Sequence, residues 1–338
     1  MRSSCLLPLA VSLISLALAQ DKHRRIGQIE FYGYAGLDLD NIRNALPFRE
    51  GDELPDSDDA VQKAVGRIRE AVNHVIGMPA TDVEALCCDA HGDGIIYIGL
   101  PGNSIGIVQH KPQPTGSVRL PASILSLYKE TMEAQSRAVL NGASGEDDSK
   151  GYALSVDPNV RAKQLATRAY VLRNEHLVSR VLATSRDPEQ RIAAAYLLGY
   201  ARQSPRQIED LVGASRDSDD TVRNNALRAL GVLARSNPKV AARIPAEHFI
   251  AMLSSGSWTD RNKGGSLLDE LSKRRDPKLL SQLRSRSVNS LIKMARWRDR
   301  SHADTFRMLL GRVAGIEETR LQQLVQAGQV EQIIAALK

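Results

Sequence analysis

A chain of 338 residues with 45 Lys and Arg against 39 Asp and Glu, a net charge of +6, is long enough for two or three domains and for cores that hold without cross-links. Aromatic residues make up 4 % and apolar residues 42 %, so Leu, Ala, Val and Ile must build the interior, a palette suited to close-packed helices. The charge balance is too even to argue for nucleic-acid binding, which needs cations gathered on one face.

Residues 1–19 read as a secretory signal. Arg2 precedes an apolar run from Cys5 to Ala19 that closes with Ala17-Leu18-Ala19 before Gln20-Asp21. The run is shorter than the roughly 20 residues that span a bilayer, and Cys5 stands near its start, whereas a lipid-modified cysteine would stand at its end. The expectation is an exported bacterial chain, periplasmic or secreted, with no transmembrane span after cleavage. Cys87 and Cys88 then remain, and as neighbours they make no ordinary disulfide framework.

Ile29 and Phe31 alternate with Gln28, Glu30 and Tyr32, the period of a strand with one buried face. A short helix over Leu39–Leu46 stops at Pro47, and Arg49-Glu50-Gly51-Asp52 supplies a turn. Between Asp58 and Ile76, Val61, Ala64, Val65, Ile68, Ala71, Val72 and Val75 fall on one helical stripe, with Ser57 or Asp58 to cap its start and Gly77 to end it. Two strands follow, Asp82–Cys88 and Ile95–Leu100, joined by the hairpin chemistry of Ala90-His91-Gly92-Asp93-Gly94.

The order strand, helix, helix, strand, strand, with Ile29-Glu30-Phe31-Tyr32-Gly33, Gly51-Asp52 and the closing hairpin, resembles a polypeptide-transport-associated (POTRA) domain over residues 26–104. The resemblance implies a docking module, with Asp82–Cys88 as the edge strand along which an incoming strand would pair. Sheet edges are more often covered or blunted, so a spacer is the plainer alternative.

His110-Lys111-Pro112-Gln113-Pro114 places a linker at 105–118, and a helical region runs from 119 to 338. Pro121 opens a helix to Leu140, and Asn141–Gly151, with Gly145-Glu146-Asp147-Asp148-Ser149-Lys150, reads as a mobile polar loop. The chain then echoes itself. Asp157-Pro158-Asn159-Val160-Arg161 returns as Asp187-Pro188-Glu189-Gln190-Arg191 and as Asp219-Asp220-Thr221-Val222-Arg223, and Ala194, Leu198 and Gly199 match Ala226, Leu230 and Gly231. Helices are expected at Glu175–Ala183, Pro188–Arg202, Arg206–Gly213 and Asp219–Arg235. Asp187, Asp217 and Asp219 would cap helices, Arg161, Arg191 and Arg223 would pair with such acids across repeats, and Gly199 and Gly231 would sit where neighbouring helices come close.

These phrases resemble HEAT repeats of the short bacterial type also found in phycobilisome lyases, clearest at 157–235 and looser to the end. The resemblance implies an α-solenoid, so the expected fold class is mainly α, a HEAT-type solenoid preceded by a small α/β domain. Lyase chemistry is not carried over, because no cysteine follows Cys88, and iron binding as in deoxyhypusine hydroxylases is not either, because Glu175-His176 and Glu247-His248 reverse the pair and have no companions.

Cys87-Cys88 with Asp89 and His91 has soft-metal ligand types, but adjacent strand residues point to opposite faces, so one thiol is expected to pack inward and the other to face away. From 261 to 300 there are 12 Lys and Arg against 4 Asp and Glu. Arg261, Arg274, Arg275, Arg284, Arg286, Arg296 and Arg298, with Trp258 and Trp297, form a candidate basic binding surface for an anionic polymer, an acidic protein or lipid headgroups. A solvated, internally paired helix surface is the alternative. No constellation for nucleophilic, metal or phosphate chemistry is found. The expectation is a non-enzymatic scaffold without cofactor, binding protein partners through both modules. A polyanion- or membrane-surface-binding protein acting through residues 261–300 is the alternative.

Overall fold

The computed structural model describes residues 24–54, 57–102 and 108–338; the expected signal, residues 1–19, lies outside the described residues. The protein is mainly helical with a small three-stranded sheet. It divides into two compact units, whose described residues are 109–245 in one and 24–54, 57–102, 108 and 246–338 in the other. The second unit is discontinuous in sequence: it takes in both the expected α/β segment and the last helices.

In chain order this second unit opens with β1 (Ile26–Tyr32), α1 (Leu39–Ala45), α2 (Asp58–Ile76), β2 (Asp82–Leu86) and β3 (Gly94–Gly99). β3 is central, parallel to β1 (Ile29 beside Ile96, Phe31 beside Ile98) and antiparallel to β2 (Val83 beside Ile98, Ala85 beside Ile96). Asp38 starts α1 by accepting from the Asp40 amide at 3.0 Å; Ser57 starts α2 by accepting from the Ala60 amide at 3.3 Å. Gly77, in the left-handed region at φ 71°, ends α2. One sheet face, carrying Ile29, Phe31, Val83, Ile96 and Ile98, packs on Ile42 of α1, on Leu46 just past its end, and on Ile68 and Val72 of α2.

The unit of residues 109–245 contains α3 (Ala122–Leu140), the two-residue strands β4 (Glu146–Asp147) and β5 (Leu154–Ser155), α4 (Pro158–Thr184), α5 (Pro188–Leu198), α6 (Pro205–Ala214), α7 (Asp220–Ser236) and α8 (Pro238–Ala241). α4 kinks at Asn174, where φ is −133°, so the expected helix at Glu175–Ala183 is its second half. α5 buries an unbroken run from Ala193 to Leu198, and α7 one from Val222 to Leu227. Over these runs both helices are covered on every side.

The remaining helices complete the discontinuous unit: α9 (Glu247–Met252), α10 (Trp258–Ser272), α11 (Pro277–Ala295), α12 (Arg300–Val313), α13 (Glu318–Gln326) and α14 (Val330–Ala335). Phe306 of α12 lies against Gly265 of α10 and Leu321 of α13 against Gly311 of α12, with no room for a Cβ at either glycine. The other face of the sheet packs on these helices through Tyr32 and Tyr97. Every residue of β3 is therefore buried. The one-faced strand expected from the alternation around Ile29 is corrected: Tyr32, on the polar side of the pattern, is 1 % exposed.

A single local device begins helices in both units. In the turn before α5, the Ser185 hydroxyl accepts from the Asp187 amide at 3.4 Å, Asp187 accepts from the Glu189 amide at 3.0 Å, and Arg191, one turn inside, donates back to the Ser185 carbonyl at 2.9 Å. The same offsets recur with Ser155, Asp157 and Arg161 before α4 and with Asp217, Asp219 and Arg223 before α7. Before α10, the Ser255 hydroxyl accepts from the Ser257 amide and Arg261 donates to the Ser255 carbonyl. Each bracket satisfies a carbonyl of the entry turn that would otherwise be buried without a donor.

Candidate interaction surfaces

The residues expected to form a basic surface divide into interior and exterior groups. Trp258, Trp297 and Arg261 are buried at 9, 0 and 4 % exposure, which corrects their assignment to a surface. Trp258 and Trp297 stack at 5.4 Å between ring centroids, Tyr32 and Tyr97 stack at 4.8 Å, and Tyr97 meets Trp258 at 5.5 Å. The Trp297 indole donates to the Tyr32 hydroxyl at 2.7 Å, the Tyr97 hydroxyl donates to the Gly256 carbonyl at 3.1 Å, and the Asp82 carboxylate accepts from the Trp258 amide at 2.8 Å.

Two cations roof this layer. The Arg261 guanidinium lies 4.3 Å and the Lys293 ammonium 4.4 Å from the Tyr32 ring centre, and Lys293 pairs with Glu30 at 3.3 Å. Burial pushes the Lys293 amine below its usual range, against the opposing pull of Glu30; burial likewise raises Glu30, against the pull of Lys293. Burial also raises the Tyr97 and Tyr32 hydroxyls, which stay neutral. His302 abuts Trp258 at 5.0 Å and shares Nδ1 with Asp299 at 2.7 Å. Burial works against the ionised Asp299, but the hydrogen bonds of His302 and Ser301 outweigh it and hold the carboxyl below its usual range. The arrangement is a solvent-excluding interface within the unit.

The other basic residues lie at the surface, and most meet oxygen. Arg275 reaches Glu318 at 3.0 Å, Arg286 reaches Glu247 at 2.9 Å, Arg296 grips Glu331 with two bonds of 2.8 and 3.0 Å, and Arg284 donates to the Leu337 carbonyl. Arg274 and Arg298 are exposed, and among the described residues neither makes an ion pair.

β2 is an outer strand of the sheet and ends at Leu86. Beyond it, Cys87 and Cys88 are joined to each other by a disulfide across a cis peptide. This corrects the expectation of one thiol inside and its neighbour on the opposite face: the alternation of a strand does not apply past its end, and both sulfurs turn to one side. Cys87 is exposed and Cys88 half-buried.

Of the repeat residues, Asp187 and Asp219 cap α5 and α7 as their spacing requires, the latter accepting from the Val222 amide at 3.0 Å. Asp217 caps no helix. It accepts a two-pronged bond from Arg191, 2.9 Å on each arm, linking the start of α5 to the turn before α7, while Arg223 donates to the Asp217 and Ser218 carbonyls. A Cβ on Gly199 would come within 3.3 Å of Ala229 on the neighbouring α7, a true close approach; one on Gly231 would meet only the tip of Arg235 at 3.5 Å, so no collision dictates glycine there.

The segment expected to be a mobile loop is instead pinned. Residues 146–155 form the β4–β5 ladder, Glu146 beside Ser155 and Asp147 beside Leu154, and Ala153, Leu154 and Ser155 are buried. Glu146 pairs with Arg228, Asp147 with Arg161 at 3.9 Å and Asp148 with Arg235 at 2.6 Å. Beneath Ala153, the residues Tyr196, Gly199, Tyr200, Asn225, Arg228 and Val232 line a small pocket. The signal that could have revealed this is the run of three acids followed by Tyr152-Ala153-Leu154, an apolar tail that a solvated loop has no use for.

Glu175 accepts from the Arg202 amide at 2.9 Å and Glu247 pairs with Arg286, so each Glu-His pair has its acid engaged in the helical framework. Among the described residues, no group of three or more His, Cys, Asp or Glu side chains could hold a metal ion, and no helix is long and apolar enough to cross a membrane. No protein-family model and no curated protein matches the chain.

Proposed function

We propose that this protein is an exported, non-enzymatic scaffold of the cell envelope, binding partner proteins through HEAT-type helical repeats and a POTRA-like βααββ module. The observation that carries the reading is the recurring helix-entry bracket, in which a Ser or Asp accepts on its side chain from the amide two positions on and on its carbonyl from an Arg six positions on, at Ser155, Ser185, Asp217 and Ser255 alike. Residues that repeat in this way are committed to holding helix pairs together, and what such stacks offer a partner is an extended surface. The parallel β1–β3 pair with β2 at the edge is the arrangement a strand-accepting docking module needs. The Cys87–Cys88 disulfide suits an oxidising compartment.

Affinity capture from envelope extracts with the full chain tests this. Selective retention of a protein that survives moderate salt is the expected result; retention of nothing above background would sink the reading. A polyanion- or membrane-surface-binding role draws on exposed Arg274 and Arg298. The internal pairing of Arg275, Arg286 and Arg296 leaves it little concentrated charge. Binding to anionic vesicles that falls steeply with ionic strength would favour it.

A further inference from the structure

The segment between α3 and α4 carries three consecutive carboxylates, and each meets an arginine of the helices it crosses: Glu146 with Arg228, Asp147 with Arg161, Asp148 with Arg235. Two ladder pairs alone do not hold a hairpin in water. What fixes this one is the surface under it. Arg168 stacks its guanidinium 3.9 Å from the centre of the Tyr152 ring, Gln203 donates to the Lys150 carbonyl at 3.3 Å, and Gly151 lies so close to the Gln203 side chain that no Cβ would fit.

That surface has the form of a recognition groove. Arg228, Val232 and Arg235 stand at i, i+4 and i+7 on α7, so one face of the helix offers cation, apolar contact, cation. Tyr196 and Tyr200, whose hydroxyls are 3.1 Å apart, supply an aromatic wall. Arginines spaced along a helix beside an aromatic wall suit an extended acidic segment, whose carboxylates each take a charge-assisted bond. The present occupant has that chemistry and comes from the chain itself.

We propose that the α5–α7 groove is a binding site for an extended acidic segment of a partner protein, and that residues 146–148 occupy it as an internal substitute which the partner displaces. This rests on the scaffold reading above and names the kind of partner. A groove filled by its own strap nine-tenths of the time binds a competitor about tenfold more weakly than an open one.

The test is fluorescence anisotropy of a labelled twelve-residue Asp/Glu peptide with the full chain and with D147N/D148N, which removes the two outer strap charges and leaves the Glu146–Arg228 pair in place. The peptide should bind D147N/D148N about tenfold more tightly than the parent. The gain should shrink with added salt and disappear when R235Q is added. Hydrogen exchange of residues 144–155 in the parent should speed up on saturation with peptide. Unchanged affinity in a D147N/D148N protein that melts cooperatively overturns the proposal, as does a gain that survives R235Q. If the double variant does not fold, the exchange measurement on the parent decides, and unaltered or slowed exchange of the strap overturns the proposal. Tighter binding of inorganic polyphosphate than of the peptide by D147N/D148N would reject a protein partner for this groove. A failed peptide test alongside selective capture in the envelope experiment removes this inference alone; failure of both removes the scaffold reading with it.

Discussion

The unit of residues 109–245 and the unit that contains the sheet are both held by buried arginines, but they use them differently. In the first, Arg191 spans from its own entry turn before α5 to Asp217 in the turn before α7, so a charge joins one helix start to another. In the second, Arg261 turns to the carbonyls of Leu253 and Ser255 and lays its guanidinium on Tyr32, so the same helix-entry position serves an aromatic interface. The bracket is a constant, and what stands next to it decides whether its arginine ties two helix starts together or supports an aromatic interface.

The largest effect that would break this comparison is at the buried Arg191–Asp217 link. Arg191→Met leaves Asp217 buried beside an apolar chain and should cost about 3–5 kcal/mol in urea unfolding, with most of it recovered in Arg191→Met/Asp217→Leu. Hydrogen exchange should accelerate in residues 109–245 while the sheet unit keeps its protection; uniform acceleration would mean that one cooperative block replaces two. Next comes the aromatic layer. Trp297→Phe keeps a ring but leaves the Tyr32 hydroxyl without its donor, an expected loss of about 1–3 kcal/mol, with the exchange response confined to the other unit.

Acid should distinguish two helix-capping carboxylates, one from each unit, by sign. Asp299 is held below the usual carboxylate range, so it contributes stability above its unfolded pKa of about 4 that is lost as pH falls through its lower folded value. Burial raises Asp219 despite the Val222 amide, so its contribution is full below the unfolded pKa and is lost as pH rises through the higher folded value. Asp299→Asn should therefore lower the melting temperature at neutral pH with a deficit that vanishes in acid, whereas Asp219→Asn, which can still cap α7, should raise it at neutral pH with a gain that vanishes in acid. Matching pH profiles for the two variants would contradict this assignment. The smallest effect is expected at the exposed Arg286–Glu247 pair, where Arg286→Ala should change stability by less than about 1 kcal/mol by thermal melting.

Local rules in the sequence reached far into this fold. The Ser57 and Gly77 ends of α2, the Asp187 and Asp219 caps and the helical periods follow from short-range chemistry, and they stand where the residues require. What stayed hidden depends on distant partners. Tyr32 continues a polar alternation and reads as solvent-facing until Trp297, far along the chain, covers it; Trp258 and Trp297 read as a surface because arginines flank them. The acids of the strap were hidden for a related reason, since Glu146, Asp147 and Asp148 look solvated until Arg228, Arg161 and Arg235 are brought opposite them, and only the apolar tail at Tyr152-Ala153-Leu154 hinted at its burial.

The split of the sheet-bearing unit between the two ends of the chain has a consequence for biogenesis. A growing polypeptide emits Tyr32 and Tyr97 long before Trp258 and Trp297 exist, so one broad aromatic face of the nascent sheet stays wet for most of synthesis. The closing step is a long-range capture that waits on the helices of residues 246–338, while the helices of residues 109–245 can condense among themselves as they appear. A chain ending near residue 245 should hold an ordered helical unit over residues 109–245 and an open, chaperone-attracting sheet; addition of residues 246–338 then shuts that face as they join their unit.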